Sequence, residues 1–309
     1  MVRYIAKKLL IAIATLLVIL LILFVLMELL PGSPFNNPKL SEEQKQALID
    51  HYGLNRPVIE RFFRYVANML RGDLGVSYVM AADVPVSRLI SSGMPISMII
   101  GFCALILGSF TGMILGFFAA FRKGRAMDII CRILSVISIS VPSYIFAIML
   151  SYFLGFKWKI FPLIFTFDSP VLSSFMAVIS LSIYVMGVVI RFTRDESAAV
   201  LSSDYVLFAR SQGISSGVLL FRYVLRNSLM PVITVMAMLL VSLLTGSLVT
   251  ESIFSIPGIG FLLSAAITAN DYNVVIALSF VFAALFVGAR LILDIIYGLI
   301  DPRVRVSGR

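Results

Sequence analysis

Arg290 and Asp294 stand four apart in an apolar run, a spacing that puts both on one face of a helix. An acid and a base so placed can neutralise each other or pass a proton. A proton relay needs further acids, and none accompanies this pair. The pair is therefore either a functional group inside the membrane or a mutually neutralising pair near one end of the helix. His51 is the single histidine, which excludes a multi-histidine metal site, and it lies in a polar, helix-like stretch that reads as solvated. Cys103 and Cys131 both fall in apolar segments without a CxxC spacing and read as small core side chains. No GxxxxGK[ST], HExxH or GxSxG motif occurs. These residues predict no bound metal, no cofactor and no covalent chemistry carried out by the chain itself.

What must be positioned instead is a polar interruption between two apolar runs, Asp204 to Pro231. Val206, Leu207 and Ala209, then Val218, Leu219, Leu220, Val224 and Leu225, give apolar faces to two short helices. Asp204, Arg210, Gln212, Arg222 and Arg226 supply the polar side, and Gly213 fits the tight turn between them. Such a segment either lies on a membrane surface or docks a partner. The second interruption is Glu251 to Tyr272. Pro257, Gly258 and Gly260 enforce a turn, a short re-entrant or interfacial helix follows, and Asn270-Asp271-Tyr272 closes it. It caps or gates a path, or it is a structural turn.

Composition places these segments in a membrane protein. The chain of 309 residues is 60% hydrophobic and 13% charged, against roughly a quarter charged in a soluble domain. The net charge of +9 comes from basic residues at the ends of apolar runs, so topology explains it and nucleic acid does not. Six apolar runs are long enough to span, at about 9–30, 95–120, 130–154, 171–191, 229–250 and 273–299. The first resembles a signal peptide, but its apolar stretch is too long and no small-x-small site follows, so it reads as an uncleaved span.

Lys and Arg in the short flanks set the orientation. Arg3, Lys7, Lys8, Arg122, Lys123, Arg125, Arg132, Arg191, Arg194, Arg210, Arg222, Arg226, Arg303, Arg305 and Arg309 fall on one side, and only Lys157 and Lys159 on the other. The basic side is expected to be cytoplasmic, with both termini there. The long 31–93 segment is then extracytoplasmic. Ser41 and Gln44 fit a capping box opening a helix through Ile49. After Pro57, Val58, Ile59, Phe62, Phe63, Val66, Met69 and Leu70 recur at helical spacing, with Glu60, Arg61, Arg64 and Asn68 facing away and Gly72 at the stop. This second helix lies on the bilayer or forms a platform for an external partner.

Within the spans, Gly108, Gly112 and Gly116 repeat every fourth position, the mark of a packing seam or a hinge. Pro142, in Ser138-Ile139-Ser140-Val141-Pro142-Ser143, breaks the third span. The expected architecture is an all-α membrane protein in two parts. Residues 1–93 hold the first span and the external helical segment, and residues 94–309 hold five spans with the 204–231 segment between them.

The motifs Asp204-Tyr205, Phe208-Ala209-Arg210-Ser211-Gln212-Gly213, Leu225-Arg226-Asn227 and Pro231 resemble the signature loop of permease subunits of binding-protein-dependent ABC importers, peptide and nickel branch. Pro31-Gly32-Ser33-Pro34, Tyr52-Gly53-Leu54, Gly72-Asp73-Leu74-Gly75-Val76-Ser77, Pro257-Gly258-Ile259-Gly260, Asp271-Tyr272 and Asp301-Pro302-Arg303 continue the resemblance in order along nearly the whole chain. The resemblance implies the type I importer permease fold in a bacterial inner membrane. It implies as partners a homologous second permease, two cytoplasmic ATPase subunits that carry ATP and Mg, and an extracytoplasmic peptide-binding protein. It makes the segment around Asp204–Ile214 the coupling helix seated on the ATPase, with Asp204, Tyr205, Ala209, Arg210, Gln212 and Gly213 as its residues. Pro257, Gly258, Gly260 and Asp271 become the candidate gate or external loop.

The chain departs from the general family pattern where Leu207-Phe208-Ala209 replaces Glu-Ala-Ala, in a longer Gly213-to-Pro231 stretch, and at Arg290, where an uncharged polar residue is expected. Oligopeptides are the expected cargo, with dipeptides, glutathione and nickel chelates as alternatives on the same scaffold. A self-sufficient secondary transporter or channel and a membrane enzyme are the rival classes; flux or turnover from the chain alone distinguishes them.

Overall fold

The computed structural model describes residues 2–29, 34–35, 40–244 and 248–300. Pro31, Gly32, Ser33 and the Asp301-Pro302-Arg303 motif, with Arg305 and Arg309, lie outside the described residues. The regular elements among them are all helices, with no strand and one isolated antiparallel bridge, Val76 to Pro85.

Among the described residues, five helices are long and apolar enough to cross a membrane, and a bent pair makes a sixth span when counted as one. In chain order the helices are α1 (Val2–Leu29), α2 (Glu42–His51), α3 (Val58–Met69), α4 (Val86–Phe121), α5 (Ala126–Ser140), α6 (Ser143–Leu150) and α7 (Pro170–Leu201). Then come α8 (Asp204–Ser211), α9 (Ser216–Val218), α10 (Arg226–Leu244), α11 (Leu248–Ile253), α12 (Ile259–Thr268) and α13 (Tyr272–Ile300). Two wider π-helical turns interrupt the pattern, Ser151–Lys157 after α6 and Leu219–Leu225 before α10. Pro142 does more than kink the third span: α5 and α6 with its π-turn meet at 96°. Val141 is extended at the break, so the helical ladder stops there and restarts at Ser143.

The chain divides into two compact units, 1–96 with 257–309, and 97–256. In the first, α1 and α13 run together, and Val86 and Ile90 of α4 bury with Ile259 and Ala266 of α12 and Val274, Ala277 and Leu278 of α13. The expected capping box at α2 is present, with Ser41 Oγ accepting from Gln44 N and Gln44 Oε1 accepting from Ser41 N. Helix α3 does not lie free. Val58, Phe62, Tyr65, Val66 and Met69 pack on Leu20 and Phe24 of α1 and Ile276 of α13, while Ile59, Phe63 and Leu70 stay exposed. Arg61 therefore does not face away as its polarity suggests; it turns back to pair with Glu28 of α1.

In the second unit the glycine repeat is a packing seam. A Cβ added at Gly108, Gly112 or Gly116 of α4 would fall 2.5 Å from Ser182 O, 2.8 Å from Val189 Cβ and 2.7 Å from Thr193 Cβ, all on α7. Helix α5 joins the other side of α7, where Ser135 Oγ donates to Gly187 O at 2.7 Å.

Candidate functional site

The polar interruption folds as α8, a turn through Gly213, and a second helical stretch from Ser216 that continues without a break into α10. The expected separate second helix is thus the lower part of a spanning helix. Val206 and Ala209 of α8 bury with Leu219 and Val224, against Phe117 and Phe121 of α4 and Val200 and Leu201 of α7. This leaves a ridge pointing outward, with Tyr205, Leu207 and Phe208 exposed at 46%, 50% and 64% beside exposed Asp204, Arg210, Gln212 and Gly213. Asp204, Leu207 and Phe208 share one helix side, as i, i+3 and i+4 positions do, and Gly213 follows the end of the helix. Ala209 stands apart from them at 3% exposure, as part of the packing that holds the ridge. Gly213 has φ +76°, and a Cβ there would meet nothing within 4 Å.

The second candidate group lies in the first unit. Gly258 caps α12, and Gly93 of α4 comes so close that its added Cβ would sit 3.1 Å from the Gly258 carbonyl carbon. Asp271, fully buried, is a clamp. Its carboxylate accepts from Ser77 Oγ at 2.5 Å and from the backbone N–H groups of Tyr78, Val79 and Met80 at 3.1, 3.0 and 3.1 Å. Its neighbour Asn273 donates to Leu74 O and Val76 O. The loop after Gly72 is thereby tied to the start of α13. Burial together with the Asp271 charge pushes the Tyr78 hydroxyl up to about 12.

Three polar pairs escaped the sequence reading. Asp128, 1% exposed, accepts from Arg194 of α7 through both oxygens at 3.0 and 3.1 Å and from Gly124 N. Ser97 Oγ donates to the buried Glu251 at 2.7 Å. Asp294 does pair with Arg290, at 3.5 Å, but its shorter bond, 2.7 Å, is to Lys8 of α1. The charge at the end of the last span thus fastens two helices. Asp294→Ala is expected to lower the melting temperature of the purified protein, at about 1–3 kcal/mol. The Lys8→Met/Asp294→Leu double should lose less than the sum of its two single substitutions, since each single change also takes away the other residue's partner. Additive losses in that double-mutant cycle would refute the coupling.

Among the described residues no three His, Cys, Asp or Glu side chains converge as a metal site would require.

The family described as "binding-protein-dependent transport system inner membrane component" matches residues 112–306. A dipeptide transport system permease protein, DppB, of Lactococcus lactis subsp. cremoris is 40% identical over 99% of this chain and 100% of that protein. The oligopeptide transport system permease protein OppB of Haemophilus influenzae is 31% identical over 99% of this chain and 100% of its own length. The glutathione transport system permease protein GsiC of Salmonella paratyphi A is 31% identical over 99% of both chains. Among solved structures, the MetNI methionine ABC transporter in inward-facing conformations superposes with a TM-score of 0.50 at 13% identity, covering 67% of this chain and 95% of that one. At that identity the likeness speaks for the fold alone.

Proposed function

Because the chain belongs to the family of binding-protein-dependent transport system inner membrane components, we propose that it is the membrane permease subunit of an ATP-driven importer of short peptides. The family is an inner-membrane one, and the multi-pass helical fold agrees with it. In this reading residues 94–309 form the core that lines half of the path, and residues 1–93 add the first span and an external segment. Both termini face the cytoplasm, following the basic flanks. Oligopeptides are the expected cargo, and the relatives named for dipeptides support shorter peptides equally well.

The observation that carries the coupling role is the ridge on α8. Three exposed apolar side chains, Tyr205, Leu207 and Phe208, are held out by a buried underside. An apolar ridge on a rigid base suits a cleft in a partner protein. Asp204, Tyr205, Arg210, Gln212 and Gly213 form the coupling surface to a cytoplasmic ATPase, and Ala209 supports it from beneath. Two such ATPases bind ATP and Mg; a homologous permease completes the path; an external binding protein delivers the cargo. ATP favours one state of the ATPase dimer, and that difference in affinity drives the path between its inward and outward forms. Pro257, Gly258, Gly260 and Asp271 belong to the external loop that borders the path.

Gly213→Trp tests the docking surface. A side chain there meets nothing of its own chain, so only the positive φ penalises it, at about 1–2 kcal/mol. The expected result is loss of uptake, with ATPase subunits released or hydrolysing ATP unproductively, and spans intact by melting. Gly213→Asn, which tolerates the same backbone, should retain uptake. Normal assembly and uptake in the Trp variant would refute the placement.

A further inference from the structure

Helix α5 stops at Ser140 inside the third span, and α6 restarts at Ser143 on a new axis, 96° away. Pro142 has no N–H to give the carbonyl of Ser138, four positions back, so that acceptor loses its helical partner. The chain does not cover this break: Pro142 is exposed and Val141 half-buried. Broken backbone at membrane depth is tolerated only where protein buries it or where it lines a water-filled cavity. A cavity of about 390 Å³ does lie against the break, within the second unit. Its walls are residues 139–143, Leu181 and Tyr184 of α7, and Ser242 and Leu243 of α10.

Three side chains on that wall, Ser140, Ser143 and Tyr184, carry hydroxyls that make no hydrogen bond among the described residues. Ser140 and Tyr184 are exposed, Tyr184 at 38%, and Ser143 is half-buried, so all three are open to the cavity. Tyr184 stands near the middle of the 32-residue α7, away from the interfacial belts where a lipid-facing tyrosine sits. A hydroxyl left without a partner in hydrocarbon is costly, and three around one break mark a wet surface. That surface continues along α5. A second cavity, of about 360 Å³, shares Ile139 and Ser140 with the first and extends to Arg132, with Arg191 and Arg194 on its α7 wall. Arg194 is committed to Asp128 and Asp195, but Arg191 makes no ion pair among the described residues. An unpaired guanidinium needs water as the broken backbone does.

We propose that this groove, from the Val141–Pro142 break to Arg191, is the water-filled surface along which the subunit passes its peptide cargo, and that Tyr184 donates its hydroxyl to a peptide carbonyl at the break. Ser140 and Ser143 offer hydroxyls to the same kind of group. Backbone carbonyls and N–H groups are what every short peptide carries, so these contacts serve cargo of varied sequence. The inference rests on the peptide-import reading above and gives it residues within the spans. A second subunit laid over the break would roof the groove without filling it, because its walls are all helices of one chain.

The test uses the complete importer in lipid vesicles, freed of cysteine, which in this chain means Cys103→Ala and Cys131→Ala. One new cysteine is placed at Ser140, or at Ile137, which lies one turn earlier on α5, is 48% exposed and lines neither cavity. Ser140→Cys is expected to react with a charged methanethiosulfonate about 10-fold faster or more than Ile137→Cys, because a thiol in water ionises and one in lipid does not. In the importer with its own cysteines, Tyr184→Phe should lower the radiolabelled alanyl-phenylalanine carried per ATP hydrolysed by about 3- to 10-fold, the worth of one neutral hydrogen bond. Its melting temperature should not fall, since the hydroxyl has no partner in the fold. A mere loss of folded importer lowers uptake and hydrolysis together and leaves that ratio unchanged. Equal reaction of the two cysteines overturns the groove. So does an unreactive Ser140→Cys in an importer that still takes up peptide, because protein or lipid then covers the break. An unchanged ratio in Tyr184→Phe overturns the contact with cargo. Peptide uptake by the unaltered importer alongside any of these leaves the import reading standing. Absence of that uptake overturns the reading and the groove with it.

Discussion

Gly112→Leu is expected to deprive the protein of its fold, with little or no intact permease recovered from membranes. The first atom of any side chain there would sit 2.8 Å from Val189 Cβ and 2.9 Å from Met186 O. Neither yields cheaply, one being the branched carbon of a fully buried valine and the other backbone of α7, and the further carbons of leucine add to what the Cβ already displaces. Relief requires α4 and α7 to separate along the whole seam, because Gly108 and Gly116 make the same approach one turn to either side. Overpacking a filled core costs about 1–3 kcal/mol or more. In a bilayer the loss is not recovered elsewhere, since lipid tails already solvate the parted faces and close packing is what holds such helices together. Gly112→Ala should give a graded version, a folded protein with a lowered melting temperature. A Gly112→Leu protein that melts like the original would show that the two helices do not depend on this contact.

That seam was legible because helix geometry alone converts a four-residue glycine spacing into one face. The Ser41–Gln44 box was legible for the same local reason, as was the turn at Gly213. Other features were half legible. Pro142 announced a break, yet the 96° angle depends on how α5 and α6 each pack on α7, which no local pattern encodes. In α8 the apolar positions were visible, but Ala209 and Leu207 look alike as candidates until Phe117, Phe121 and Leu219 decide which one is covered. Long-range polar pairs were not legible at all. Asp128 and Arg194 are 66 positions apart, and Lys8 and Asp294 are 286. Each helix reads as an isolated charge at a membrane flank until the fold brings the partner.

Asp271 was visible as part of a polar loop but not as a clamp, because three of its four partners are backbone N–H groups that leave no trace in side-chain pattern. Its removal is expected to have a correspondingly large and local effect. Asp271→Asn keeps the shape but replaces one acceptor oxygen with an amino group that confronts an N–H donor. Leaving a buried backbone N–H without its acceptor costs about 1–3 kcal/mol. The cost should fall on residues 77–81, with the spans unaffected, because α13 begins beyond the clamp and its own burial against Val86 and Ile259 is untouched. Amide exchange at Tyr78, Val79 and Met80 should therefore accelerate by about 10- to 100-fold, while exchange in the interior of α13 stays as it was. Peptide uptake should fall in parallel if the loop after Gly72 must be held in this one conformation for cargo to enter. Ser77→Ala, which leaves the carboxylate its three backbone donors but takes the acceptor from Ala81 N, should speed exchange at Ala81 more than at Tyr78, Val79 and Met80. Unchanged exchange at those amides in Asp271→Asn would mean that the loop is held by something other than this carboxylate.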